Sequence, residues 1–235
     1  MSNDFTKSID SVISRVVQSL VSPATTQTVD WSKLVRALRT IRERSIAQLQ
    51  NLSQEQADFA PAKGTWSIAQ NADHVLLGEK LYRTQIGRLM DLARAGGKTT
   101  LEIGFDEINP SLAFIPNEVM ALMAAPLTFV NRFVPGIVRE TIIRYPLIPA
   151  TTPSVMEPAK TRPIAELVEH MATSIAATEE LFRDRVPANL RTVTMSHPLL
   201  GNNNVQDIFG LMCAHEARHQ DTIKKISENR LFPAR

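Results

Sequence analysis

The string His215-Glu216-Ala217-Arg218-His219 constrains this chain more than any other part of it. Residues four apart on an α-helix stand one above the other, so both imidazoles can reach one divalent metal ion. At about 100° per residue the two histidines fall inside the arc of Val205, Ile208, Met212, Ile223 and Ile226, and so point into a core. Imidazoles buried without partners are costly. Either a shared metal or hydrogen bonds to groups on a facing helix would satisfy them. The string also fits the HExxH pattern of zinc proteases. Such a protease takes its third ligand from downstream. The sixteen residues after His219 hold no histidine, and their two carboxylates, Asp221 and Glu228, lie on the same helix. A third ligand, if there is one, must come from upstream, which points toward a metal held between helices of a bundle rather than a protease.

Helical periodicity supplies those helices. Asp30 caps a first long helix over about Trp31–Asn51, with Leu34, Leu38, Ile41, Ile46 and Leu49 as its apolar face. Pro61 to Thr65 reads as a loop. Thr65 or Ser67 caps a second helix that runs to about Ala95, where Gly96-Gly97 stops it. A third starts near Pro163 and ends at Pro187. The fourth follows Asn202-Asn203-Asn204 and runs to about Asn229. No strand of convincing alternation is visible. The expected fold is all-α: a four-helix bundle over residues 31–235 with two additions. One is a short amphipathic helix over residues 4–21 and a Ser/Thr/Pro linker, together residues 1–30. The other is a long insertion between helices two and three, at about 98–160. Eight of the chain's 14 prolines lie between Pro110 and Pro158, yet the stretch is apolar and reads as ordered, with one or two short helices. A lid, an oligomer contact or a membrane-surface element would each suit it.

Composition narrows the function. The 26 Lys and Arg residues are scattered and the net charge is only +2, which argues against nucleic-acid binding. The single Cys213 excludes an intrachain disulfide and fits a reducing, cytoplasmic setting. No signal peptide is evident, and Val119 to Val138, the most apolar run, is interrupted by Pro126, Arg132 and Pro135, so no stable membrane span is expected.

His74 is the upstream candidate for the third ligand. It lies two turns into helix two, at the edge of the apolar stripe. Three histidines from two helices would leave coordination positions open, the arrangement of a catalytic metal. Glu216 could orient a ligand or act as a base on bound water; alternatively it pairs with Arg218, Arg83 or another basic side chain. His197 is expected to shape a turn, His170 and Arg218 to be solvated, Asp73 to bond something other than His74, and Cys213 and Trp66 to be packing residues.

Trp66-Ser67-Ile68-Ala69 with Asp73-His74, then His197-Pro198-Leu199-Leu200-Gly201, then His215 to Gln220, resembles the DinB-like (DinB/YfiT) metalloprotein superfamily. The resemblance covers about residues 31–95 and 162–230; the N-terminal helix and the insertion depart from it. It implies a four-helix bundle with a three-histidine site whose matching positions are His74, His215 and His219. It further implies a divalent transition metal, zinc first, with nickel, iron and manganese also able to accept three imidazoles. By the same resemblance the activity would be metal-dependent: a transferase of low-molecular-weight thiols, or a hydrolase. The substrate would be a small molecule such as a thiol, and by analogy with the family the chain could form a homodimer. The alternative is a non-catalytic metal-binding or interaction protein whose apolar insertion contacts a partner or a membrane surface.

Overall fold

A computed structural model describes residues 29–103, 154–183, 186–197 and 201–234. The expected helix over 4–21, its linker and most of the insertion lie outside the described residues. Among the described residues, five helices carry the fold. Helix α1 is Trp31–Leu49, and Asp30 caps it by accepting the Lys33 N–H at 3.1 Å. Helix α2, Gln54–Asp58, lies between the first expected helix and the Pro61–Thr65 loop, in a stretch to which the sequence reading assigns no element. Ser53 and Gln56 form a reciprocal capping box there, which offsets the marginal stability of so short a helix. Helix α3 is Ile68–Ala95, opened by a Ser67/Gln70 capping box and closed by Gly96 at φ +68°, a conformation that favours glycine. Helix α4 is Ile164–Glu180, and α5 is Val205–Ser227, capped by Asn204 with Asp207.

Helix α4 ends well before Pro187, contrary to the sequence expectation. Phe182 and Arg183 donate to carbonyls only three residues back, so the chain tightens and leaves the helix. The turn brings Phe182 against Trp31, ring centroids 5.8 Å apart, and against Phe209 at 5.4 Å. Aromatic burial wins over continued helix.

The fold is mostly helical, but not wholly so. Strands β1 (Thr100–Glu102), β2 (Thr194–His197) and β3 (Gly201–Asn204) form a small sheet in the order β1-β2-β3. β1 runs parallel to β2, with Thr100 opposite Thr194; β2 and β3 are antiparallel, with His197 opposite Gly201. This corrects the reading of no strands. Each is three or four residues long and rich in Thr, Ser and Asn, too short and polar to show alternation. It also moves His197 from a loop onto a strand end. β3 runs directly into α5, so Asn204 both closes a strand and caps a helix.

Helices α1 and α3 each pack on both α4 and α5. Their apolar residues form two clusters. One gathers Leu38, Ile86, Leu89, Ile208 and Phe209; the other gathers Leu49, Val75, Leu167, Met171 and Ile223. Along α1, Arg42 and Ser45 fall between the clusters; along α5, His215, Glu216 and His219 do. The core therefore has a polar waist, and that waist holds the candidate site. Among the described residues no helix is long and apolar enough to cross a membrane.

Candidate metal centre

His215 and His219 stand one turn apart on α5, and His74 meets them from α3. All three are at least nine-tenths buried. Their ring centroids lie 4.7 to 4.9 Å apart, and one nitrogen from each falls within 4.8 Å of the others. The His74 and His215 Nε2 atoms are 3.0 Å apart. Two nitrogens at ~2.05 Å from a tetrahedral zinc ion would be roughly 3.3 Å apart, so the spacing suits a shared ion as well as an N–H···N bond.

The outer ring nitrogens are held by acceptors. His74 Nδ1 lies 2.7 Å from the Met156 carbonyl, which can only accept, so Nδ1 carries the proton and Nε2 keeps its lone pair. His219 Nδ1 donates to Asn71 Oδ1 at 2.8 Å. Asn71 is oriented for this because its amide nitrogen donates to the Ser67 carbonyl at 2.8 Å. These are the contacts that fix a metal-binding histidine's tautomer and ring angle. His219 Nε2 is buried and has no hydrogen-bond partner among the described residues. Such a group costs about 1–3 kcal/mol unless something satisfies it.

Electrostatics keeps the cluster neutral. Burial is the main cause that pushes all three imidazoles below the ordinary histidine range; for His215 and His219 the neighbouring imidazoles add to it, and for all three so does the Arg218 charge. Neutral imidazole is the metal-ligating form. Three converging imidazoles, two of them tautomer-fixed and one of those two, His219, with an unsatisfied nitrogen, fit a borderline divalent metal ion well.

Packing leaves little freedom. A Cβ on Gly78 would lie 2.9 Å from the Met156 methyl and 3.1 Å from His215 Cε1. That explains a glycine inside a long helix, where it costs about 1 kcal/mol relative to alanine. Met156 belongs to a 3-10 turn, Ser154–Met156, that returns over α3. Asp73 clamps the same segment: one oxygen takes Arg162 at 2.5 Å, the other accepts the Ala159 N–H at 2.9 Å. Adjacent residues Asp73 and His74 thus hold the segment at two points, and Asp73 stays off His74 as expected. Trp66 does more than pack. Its ring lies 4.8 Å from that of His74 and 6.4 Å from that of His219.

Glu216 faces elsewhere. Its oxygens accept Arg42 Nε at 2.8 Å and Nη2 at 3.0 Å, and Ser45 Oγ at 2.6 Å. Arg42 is fully buried, and it also pairs with Glu79 at 2.8 Å and donates to the Met171 carbonyl. Glu79 in turn accepts Ser174 and Thr178, both at 2.7 Å. Burial works against the Arg42 cation, but Glu216 and Glu79 more than offset it and hold its pKa above the ordinary value. The structure therefore brings Glu216 onto Arg42, a partner the sequence reading did not name. The signal was present: Val35, Leu38, Arg42, Ser45 and Leu49 repeat at alternating spacings of three and four, which puts a charge in a core stripe. His170 is half-exposed and lies 2.5 Å from Arg162; Cys213 packs against the first cluster.

A family model described as the DinB superfamily matches residues 37–223, a span that contains all three histidines. No curated protein and no solved structure gives a significant match to the chain.

Proposed function

The chain belongs to the DinB superfamily, and from that membership we propose that it binds one divalent transition metal through His74, His215 and His219 and uses it in catalysis. The unpartnered Nε2 of His219, aimed into a cluster of neutral imidazoles, is the observation that carries this reading. The four long helices are read as one four-helix bundle spanning residues 31–235, with residues 1–30 as an appendage. Zinc is the expected ion, with nickel, iron and manganese as rivals. When bound it would supply Lewis acidity to a thiol or a water. The chain's own residues do the rest. Asn71 and the Met156 carbonyl orient two ligands, Trp66 shields the cluster on one side, and Gly78 makes room for His215. The reaction best in keeping with the family is transfer of a low-molecular-weight thiol, with hydrolysis second. In this reading Glu216 positions α5 through Arg42 rather than acting as a base. The single cysteine suits the cytoplasm.

The test is metal content, by mass spectrometry of protein purified without a histidine tag, for wild type and for His74→Ala, His215→Ala and His219→Ala. We expect about one metal per chain in wild type and none in the variants. Wild type that is metal-free and cannot be reloaded would overturn the proposal. Melting with and without chelator separates the catalytic from the purely structural reading, since a structural ion's binding energy is folding energy.

A further inference from the structure

We propose, resting on the metal reading above, that the groove beside His219 binds a small organic oxyanion. The ligand would carry an aromatic or apolar body against Trp66 and a carboxylate or phosphate head taken by Arg218 and Lys225. The groove has a volume of about 550 Å³, within the usual range for small-molecule sites. Its lining includes Trp66, Asn71, Arg218, His219, Thr222 and Lys225. Two of these are metal-site residues already: His219 is a ligand and Asn71 orients it. A molecule lying there touches the cluster without entering the packed core.

Charge selects the ligand. Among the described lining residues there are two cations and no carboxylate. Arg218, Thr222 and Lys225 sit four and three residues apart on α5, so they share one face of the helix and can act on one ligand. A guanidinium presents a planar fork that matches carboxylate and phosphate alike, and an ammonium adds a point charge. The Trp66 ring, close to both His74 and His219, offers an apolar face at the same place. A second groove of about 480 Å³, lined by Asp73, Lys80, Arg83, Arg162 and His170, shows the contrast. Its lining carries a carboxylate, Asp73, which would disfavour an anion there. No metal-site residue lines it.

The chain has two tryptophans, so Trp31→Phe leaves Trp66 as a lone fluorophore in the groove. In that background, with metal content measured on the same sample, fluorescence is titrated with phenylacetate, phenyl phosphate and neutral phenylacetamide. The anions should bind at least about tenfold more tightly than the amide, and Arg218→Gln and Lys225→Gln should each weaken anion binding about tenfold, as loss of a charge-assisted bond implies. The order of the two anions tells which head group the site takes. Equal binding of acid and amide, or anion affinity unchanged in both variants, would overturn the proposal. Should Arg218→Gln fail to fold, the exposed Lys225 and the acid-to-amide ratio in the parent still decide. A metal-loaded sample with no anion preference sinks the groove alone; a sample that stays metal-free after attempted reloading yet keeps the preference sinks the metal reading alone.

Discussion

His215 and Glu216 are neighbours on α5, yet one faces two imidazoles and the other a guanidinium. Both lie in the polar waist between the apolar clusters, and both are buried. On the Glu216 side, the carboxylates of Glu79 and Glu216 are matched by Arg42 and by the Ser45, Ser174 and Thr178 hydroxyls. No atom of Arg42, Glu79 or Glu216 is among the buried polar atoms left without a partner. On the histidine side, one nitrogen is left without a hydrogen bond and three neutral bases converge. A buried polar group that is fully satisfied from within serves the fold. One that is not calls for an explanation, and where three imidazoles converge a bound ion is one that fits. The comparison therefore separates a fully satisfied polar cluster from an incompletely satisfied one within a single helical turn.

The largest break is expected on the charged side. Arg42→Ala should destabilise the protein by about 3–5 kcal/mol in urea unfolding, because it strands two buried carboxylates. A loss under ~1 kcal/mol would mean the network is not structural.

Acid should act on the histidine side. In metal-free protein the folded imidazoles stay neutral below their ordinary range, while an unfolded chain protonates them near pH ~6.5. The unfolded state then binds more protons, so stability falls as pH falls, by up to about 1.4 kcal/mol per pH unit for each histidine. Urea midpoints between pH 7.5 and 5.5 check this, and His219→Ala should flatten the slope. A profile that is flat in both proteins would contradict the burial argument.

Asn71→Ala removes the acceptor for His219 Nδ1 and should weaken metal affinity about 10- to 100-fold, read by chelator competition. The smallest effect tests the boundary itself. Glu216→Gln should lower stability while leaving metal per chain unchanged. Metal lost together with stability would show that the two regions are one.

Much of this was legible in the sequence, for identifiable reasons. The long helices announced themselves through 3.6-residue periodicity and through capping side chains: Asp30 caps the first as expected, and of Thr65 and Ser67 the structure selects Ser67. The histidine pair was legible because its spacing lies within one helix, whereas His74 needed a partner 141 positions away. The strands escaped because their stability comes from backbone pairing across the chain, not from side-chain pattern. Arg42 escaped because a charge on an amphipathic helix is ordinarily solvated, and its two carboxylates come from different helices. Helix α2 was readable in hindsight, since Ser53 and Gln56 spell a capping box.

The Arg42 network has a consequence for register. It touches α1 at Arg42 and Ser45, α3 at Glu79, α4 at Met171, Ser174 and Thr178, and α5 at Glu216. Sliding any one of these helices by a turn, ~5.4 Å, would carry its polar group out of reach and leave a charge facing hydrocarbon. Hydrophobic packing alone discriminates weakly against such slips, because Leu and Ile are nearly interchangeable along a stripe. The network therefore indexes the helices against one another. Because Glu216 follows His215 directly, the same notch that seats the carboxylate sets the height and rotation at which α5 presents both of its histidines to His74.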